Sequence, residues 1–286
     1  MAARAAMLVG VDGPEYVLAT PHAALSGLAV RYQGYREFSA VPLRRRQAPT
    51  GTCTLILSFG AALRLHGPAG PSAPASFLAG MHDAAVLTEF TGAQHGMQVD
   101  LTPLGLYTLL GRPMPELTNV APPVDALEVP ELGALPERLA ADPGWPQRFA
   151  RLDAVLLSRL AASRARPDPE VAWAWRQLVR SGGTAAVHDL ATGTGWSRRH
   201  LLTRFRTQVG LAPKPAARVL RFRRAADLLV PGRGIADVAA ASGYADHAHL
   251  VREFRALAGC TPSEYLTERA PPPAPDRQES HVPDVE

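Results

Sequence analysis

Two groups of arginine and small side chains lie at helical spacing in the last third of the sequence. Residues three and four apart share one face of a helix, so each group would present a single surface. A guanidinium group can donate two hydrogen bonds to guanine or bind a phosphate, and small apolar groups can contact the methyl group of thymine. This chemistry suits double-stranded DNA. The groups are Arg198, Arg199, Leu202, Thr203 and Arg206, followed by His247, Ala248, Val251, Arg252 and Arg255.

We expect different roles within these groups. Arg199 and Arg252 are the candidates for paired hydrogen bonds to guanine. The second face carries less charge and is expected to contribute less specificity, and the alternative for any single arginine is a solvated side chain. The phosphate candidates are Arg198, Arg206 and Arg255, and the thymine candidates are Leu202, Thr203, Ala248 and Val251.

An internal repeat places both groups in the same local structure. Leu190 and Val238 are 48 residues apart, whereas Leu201 and Leu250 are 49 apart, because the turn of the second copy has one extra residue. The copies read Leu190-Ala191-x3-Gly195-Trp196-Ser197-x3-Leu201-x3-Phe205 and Val238-Ala239-x3-Gly243-Tyr244-Ala245-Asp246-x3-Leu250-x3-Phe254.

Each copy has the residues that begin and end a pair of helices. Gly195 and Gly243 stand where the chain leaves a first helix, a position that often requires a positive φ. Ser197 and Asp246 are suitable N-caps for a second helix. The pattern predicts two helix-turn-helix units, and a helix with an apolar stripe over Val219, Phe222, Ala226 and Leu229 would connect them. The second helices are expected at 197–209 and 246–258.

The segment from about 186 to 266 resembles the DNA-binding domain of the AraC/XylS type of bacterial transcription regulator. The resemblance rests on the two repeat copies, on the connector Arg221-Phe222-x2-Ala225-x2-Leu228-Leu229, and on the Gly-Cys-Thr-Pro-Ser-Glu-Tyr segment at 259–265. These motifs cover under a third of the chain. Leu250 departs from the usual aromatic residue, and the glycine-rich turn at 192–195 is expected to loosen the first unit.

The resemblance implies a sequence-specific, effector-responsive transcription activator that reads two successive major grooves of double-stranded DNA. It implies RNA polymerase as a partner and an N-terminal domain that senses an effector or forms a homodimer. It implies neither enzyme activity nor a cofactor.

The charge distribution agrees with a nucleic-acid partner. Residues 181–270 carry 13 basic and 7 acidic side chains, a net charge of +6, whereas residues 1–180 carry 16 and 15, a net charge of +1. A positive excess confined to one segment is typical of a surface that meets phosphates. Neither a secretory signal nor a membrane span is recognisable, so a cytoplasmic location is expected.

The predicted fold class is α+β, with an N-terminal cupin-like β-barrel and an all-α double helix-turn-helix domain. The effector or dimerisation domain is expected at 1–165, with short strands to about 103 and helices after that. The DNA-binding domain is expected at 170–269 and a disordered acidic tail at 270–286. The segment 66–76 is predicted to be a loop, and the helix at 145–163 either dimerises or packs under the barrel.

Other residues in the first half of the chain are considered for metal binding, thiol chemistry or effector binding, with weaker support. His22, His66, His82 and His95 lack the spacing of metal ligands, so no metal is expected. Cys53 lies in an apolar run that is typical of a buried strand. The arginines at 31–36 and 44–46 either line a pocket for an anionic or aromatic effector or form a solvated edge.

Two other functions compete with the regulator. The first is a DNA-repair-type enzyme that carries such repeats together with a reactive cysteine, which Cys53 fits poorly. The second is an architectural protein that binds DNA without sequence preference, which would not need a long β-rich region.

Overall fold

The computed structural model describes residues 6–8 and 14–269. The acidic tail predicted at 270–286 therefore lies outside the described residues. Strands occupy the described chain up to Leu101, and helices dominate after it. The strands are β1 (Ala6–Leu8), β2 (Glu15–Ala19), β3 (Ala29–Gln47), β4 (Cys53–Ser58), β5 (Arg64–Gly67), β6 (Gly70–Ser72), β7 (Phe77–Ala79) and β8 (Val86–Leu101).

The helices begin directly after the last strand. The predicted class, a sheet-rich first half followed by an all-α half with two helix-turn-helix units, is confirmed. The helices are α1 (Pro103–Leu110), α2 (Pro130–Gly133), α3 (Leu135–Ala141), α4 (Trp145–Ala162), α5 (Pro169–Arg180), α6 (Val187–Thr194), α7 (Arg198–Val209), α8 (Pro213–Leu228), α9 (Ile235–Ala241), α10 (His247–Ala258) and α11 (Pro262–Arg269).

The strands form one antiparallel sheet whose two central strands are longer than predicted. The order is β1-β2-β3-β8-β4-β7, and β5 pairs with β8 and β6. β3 has 19 residues and β8 has 16, and their register runs from Ala29 opposite Leu101 to Gln47 opposite Val86. β8 alone spans 86–101, where the sequence predicts only short strands.

The arginine-rich stretches at 31–36 and 44–46 lie within β3. Arg31 forms an ion pair with Asp100, and Arg44 forms one with Glu89, in both cases across to β8. Opposite charges on neighbouring strands support a sheet as apolar pairs do. Because ion pairs here replace the apolar alternation that identifies a strand in a sequence, the strand was missed.

The segment 66–76 contains most of a β-hairpin, so its prediction as a loop was wrong. Leu65 pairs with Ser72, and Gly67 pairs with Gly70. Gly70 has a φ of 97°, which glycine adopts at little cost. The glycines and prolines here form a tight turn with short strands on both sides.

Helix α4 packs on the sheet, which is one of the two roles considered for it. Phe149, Leu152 and Leu156 are buried along one face of this helix. The ring of Phe149 stacks on Tyr32 of β3 with a centroid distance of 6.2 Å, and the Tyr32 hydroxyl donates to Asp153 at 2.9 Å. Apolar and polar contacts therefore join this helix to the centre of the sheet.

The histidines considered as metal ligands have separate environments. His95 lies edge-on to Phe59 and Trp145, and desolvation lowers its pKa to about 4. His82 contacts the carbonyl oxygen of Gly80 at 2.9 Å. Across the residues that the structure describes, no three His, Cys, Asp or Glu side chains gather as metal ligands would. In the same part of the chain, no helix has the length and apolar character that crossing a membrane requires.

The two halves of the chain share one continuous hydrophobic core. The predicted boundary at 165–170 falls between the end of α4 and the start of α5. Buried residues on both sides of it belong to one cluster, and α1 and a short 3-10 turn (Met114–Leu117) pack against α7. The part of the chain before this boundary, up to residue 165, is called the sheet-rich half. It lies directly against the first helix-turn-helix unit.

Candidate nucleic-acid interface

Both helix-turn-helix units have the caps that their sequences predict. The Ser197 hydroxyl accepts a hydrogen bond from the His200 amide at 3.3 Å, and the Asp246 carboxylate accepts one from the His249 amide at 2.6 Å. Each satisfies an N–H that has no partner within its helix. Gly195 ends α6 with a φ of 68°. The observed α7 and α10 begin one residue after the predicted 197 and 246 and end at the predicted residues.

Two apolar side chains anchor the second helix of each unit. Leu201 and Phe205 of α7, and Leu250 and Phe254 of α10, are fully buried. Phe254 packs on Phe222 of α8 with a centroid distance of 4.7 Å. Leucine at position 250, where an aromatic residue is usual, is as well buried as its equivalent in α7. The anchors fix which face of each helix is turned to solvent.

The predicted contact residues all lie on the solvent side of these helices. Leu202 and Val251 are half-buried, and the other predicted contact residues are exposed. The Thr203 hydroxyl donates to the carbonyl of Arg199 at 3.1 Å, so this threonine presents its methyl group and an acceptor oxygen. The exposed members are Arg198, Arg199, Thr203 and Arg206 on α7, and His247, Ala248, Arg252 and Arg255 on α10.

The arginines of these helices fall into two classes. Arg204 of α7 is held by a carboxylate within the protein. The other class forms no ion pair with any acidic residue in the described part of the chain. Their charge is therefore available to an external anion. This class contains Arg198, Arg199, Arg206, Arg252 and Arg255.

An ion pair that sequence reasoning missed positions α7. Arg204 donates two hydrogen bonds to Asp168, at 2.7 and 2.9 Å, and the Gln208 side chain accepts from the Asp168 amide at 2.8 Å. The sequence shows Asp168 directly before the proline that begins α5, which marks it as an N-cap candidate. Its carboxylate instead binds α7, 36 residues away.

A second ion pair joins α10 to the connector α8. Arg218 donates two hydrogen bonds of 3.0 Å to Glu253. Arg221 lies over the Tyr244 ring at 5.6 Å and donates to the Gly183 carbonyl at 3.2 Å. The sequence alone assigned neither arginine a contact. The structure shows that they hold the second unit against the connector.

The glycine-rich turn of the first unit packs closely against α5, and the expected loosening of this unit stays a prediction. A Cβ atom at Gly193 would lie 2.2 Å from the Trp173 side chain. Only glycine lets α6 approach α5 this closely. This packing contact, which is invisible in the local sequence, accounts for Gly193, whereas Gly195 is accounted for by its φ of 68°.

Comparisons with known proteins agree with this geometry. Residues 190–268 match a family described as a helix-turn-helix domain. A stretch of 64 residues is 36% identical to the uncharacterized HTH-type transcriptional regulator YbfI of Bacillus subtilis (strain 168), and it spans 22% of this chain and 23% of that relative. The chain therefore matches about a quarter of the relative's length. Residues 190–268 form a DNA-binding helix-turn-helix domain of the AraC type.

Solved structures are similar at lower levels of identity. The C-terminal domain of AraT, a response regulator from Geobacillus stearothermophilus, is 21% identical with a TM-score of 0.36, and the match covers 41% of this chain and 100% of that chain. ToxT from Vibrio cholerae O395 is 12% identical with a TM-score of 0.49, and the match covers 83% of this chain and 96% of that chain.

The ion pair at α7 predicts a specific dependence of stability on pH. Hydrogen bonds from Arg204 lower the pKa of Asp168 below its ordinary value of 3.8. This contribution to stability is present above the ordinary pKa and is lost as the pH falls through the lower pKa of the folded state. We expect the free energy of unfolding of Asp168→Asn to fall less than that of wild type between about pH 5 and about pH 2.

Urea unfolding at both pH values measures this difference. Asp227→Asn is a suitable control, because Asp227 is exposed on α8 and lies 3.7 Å from Arg223. It should show the acid dependence of wild type. Equal losses of stability in wild type and Asp168→Asn would contradict the assignment.

Proposed function

We propose that this protein is a sequence-specific transcription regulator that binds double-stranded DNA through α7 and α10. The observation that carries the proposal is the difference between the ion-paired arginine and the unpaired arginines of these helices. Arg204 is neutralised by Asp168, whereas the arginines on the solvent face have no described acidic partner. Unpaired guanidinium groups on the second helices of two helix-turn-helix units suit phosphates and base edges. The matched domain at 190–268 contains both helices.

The connector supports contact with two successive major grooves. Helix α8 runs from Pro213 to Leu228, and its buried face packs against both units. Phe222 contacts Phe254, and Arg218 binds Glu253, so the second unit is held to the connector by apolar and ionic contacts. Rigidly connected recognition helices can enter consecutive grooves on one side of the duplex, about 34 Å apart.

Footprinting with the full chain tests the two-groove proposal. On a DNA site obtained by in vitro selection, we expect two protected stretches on one face, about one helical turn apart. Since α7 carries more unpaired charge, its groove should stay protected to higher salt. A single protected groove per monomer would contradict the arrangement.

Arg199 is proposed to read a base. Arg199→Ala should weaken binding by about 1–3 kcal/mol and relax the preference at one base pair. Arg138→Ala is the matched control, because it removes the same charge from an exposed position on α3. Titration of a set of single-base variants of the site measures both effects. Uniform weakening on all variants would instead assign Arg199 to a phosphate.

The remaining base and phosphate contacts are proposed as in the sequence analysis. Arg252 would bind guanine, and Arg206 and Arg255 would bind phosphates. Leu202 and Val251 are half-buried and lie next to the buried anchors, and they would contact thymine methyl groups. Arg198 and His247, at the first turn of each helix, lie where recognition helices approach the duplex.

The first half of the chain is proposed to regulate DNA binding. A cavity of about 10 Å³ lies between the sheet and the helices, lined by leucines and by Arg159, whose buried Nε has no hydrogen-bond partner among the described residues. This volume holds about one water molecule, so an effector would have to widen it. Activation through RNA polymerase and a homodimer are proposed on the family resemblance alone, and a cytoplasmic location is proposed because the proposed partner is DNA.

The alternative of a repair enzyme requires a reactive cysteine, and the geometry does not favour one. Cys53 is buried in β4, and burial raises the pKa of its thiol to about 12. Cys260 is also buried, and desolvation raises its pKa. A thiolate is the reactive form, so neither site favours nucleophilic chemistry.

Thiol labelling distinguishes these functions. We expect a disulfide reagent to modify neither cysteine in the native protein within minutes and to modify both after denaturation in urea, which serves as the internal control. Rapid modification of Cys53 in the native protein would support the enzyme.

A further inference from the structure

Arg46 lies in the sheet-rich half of the chain but binds the second helix-turn-helix unit. It stands next to the last residue of β3, and its side chain is one-fifth exposed. Its Nη1 donates to the carbonyl oxygen of Ala258 at 2.7 Å. Its Nε and Nη2 donate to the carboxylate of Glu268 in α11, at 2.9 and 3.1 Å. One guanidinium therefore joins β3, α10 and α11.

The carbonyl that Arg46 binds is at the end of the recognition helix. Ala258 is the last residue of α10, and the last four carbonyls of a helix have no partner within it. The carboxyl end of a helix also carries partial negative charge, which a cation stabilises. The paired contact with Glu268 fixes the plane of the guanidinium, which a lysine could not reproduce. Arg46 thus acts as a C-terminal cap supplied from another part of the chain.

The sheet-rich half also contacts the carboxyl end of α7. The Thr118 hydroxyl donates to the carbonyl of Gly210 at 3.0 Å, and Gly210 follows α7 as Gly259 follows α10. The connector α8 lies between α7 and α10 in the chain, and its Arg223 donates to the Thr50 carbonyl at 3.0 Å. The sheet-rich half therefore contacts the carboxyl ends of both recognition helices and the helix between them.

We propose that Arg46 is a positioning residue for DNA binding, which holds α10 at the angle that lets its solvent face enter the second groove. The inference rests on the proposed function of α10. Within its own domain α10 packs on α8, α9 and α11, and Leu250, Glu253 and Phe254 hold it there. Arg46 supplies a second attachment at the end of the helix. This attachment comes from outside the domain and binds the carboxyl end of the helix, so it adds a constraint on the direction of α10 that the contacts within the domain do not include.

The test compares footprints of the full chain and its variants on a selected DNA site. Arg46→Ala should lose protection and base preference in the groove assigned to α10, with the α7 groove still protected and the overall affinity about tenfold lower. Arg46→Lys keeps the charge but cannot bind Ala258 and Glu268 together, so we expect an intermediate loss. Arg44→Ala is the matched control, because Arg44 lies two residues earlier on β3 and pairs with Glu89 inside the sheet. Its footprint should equal that of wild type.

The outcomes separate this inference from the proposed function. Equal weakening of both grooves in Arg46→Ala and Arg46→Lys, or no change in either, would overturn the positioning role. Wild-type protein without any sequence-specific footprint would overturn the proposed function itself. If Arg46→Ala does not fold, as urea unfolding would show, the selective effect of Arg46→Lys on the second groove decides the question.

Discussion

The burial of Leu201, Phe205, Leu250 and Phe254 is the constraint on which the proposed interface depends. Each of these side chains contributes about 1.5–3 kcal/mol when it leaves water. Either helix carries two of them, so a rotation about its axis would lose about twice that amount. Burial therefore decides which residues of α7 and α10 meet solvent. The exposed arginines occupy the only face that the anchors leave free on these two helices.

Charge pairing refines what burial decides. The carboxylates of Asp168 and Glu253 each take two hydrogen bonds from an arginine inside the domain, Arg204 and Arg218. Those ion pairs help to orient the recognition helices. They also neutralise Arg204 and Arg218, so these two arginines are not available to bind DNA. The positive charge that is left lies on the solvent face. An exposed ion pair contributes little to stability, but a paired, half-buried one restricts geometry.

The sheet-rich half is part of the same mechanical unit. β3 and β8 form a long ladder, interrupted by irregularities after Ala29 and Ser39, that extends past Arg46. The loop after β3 carries the Thr50 carbonyl that binds the connector. α4 covers the sheet through Phe149 and Tyr32. A change in the packing of α4 on the sheet would therefore reach the carboxyl end of α10 through β3. This gives the proposed regulation a physical route that involves residues already in contact.

The sequence by itself determined the features that depend on near neighbours in the chain. The caps Ser197 and Asp246, the turn glycines and the spacing of the apolar anchors predicted the recognition helices to within one residue, because helix ends and faces are set by residues a few positions apart. Strand β3 was not predicted as one long strand, because Arg31 and Arg44 find their carboxylate partners only when β8 lies beside them in the folded protein. The contacts of Asp168 with Arg204 and of Arg46 with Glu268 span 36 and 222 residues. Such pairs were decided only by the tertiary structure, since an arginine in a sequence carries no mark of the carboxylate that folding brings to it.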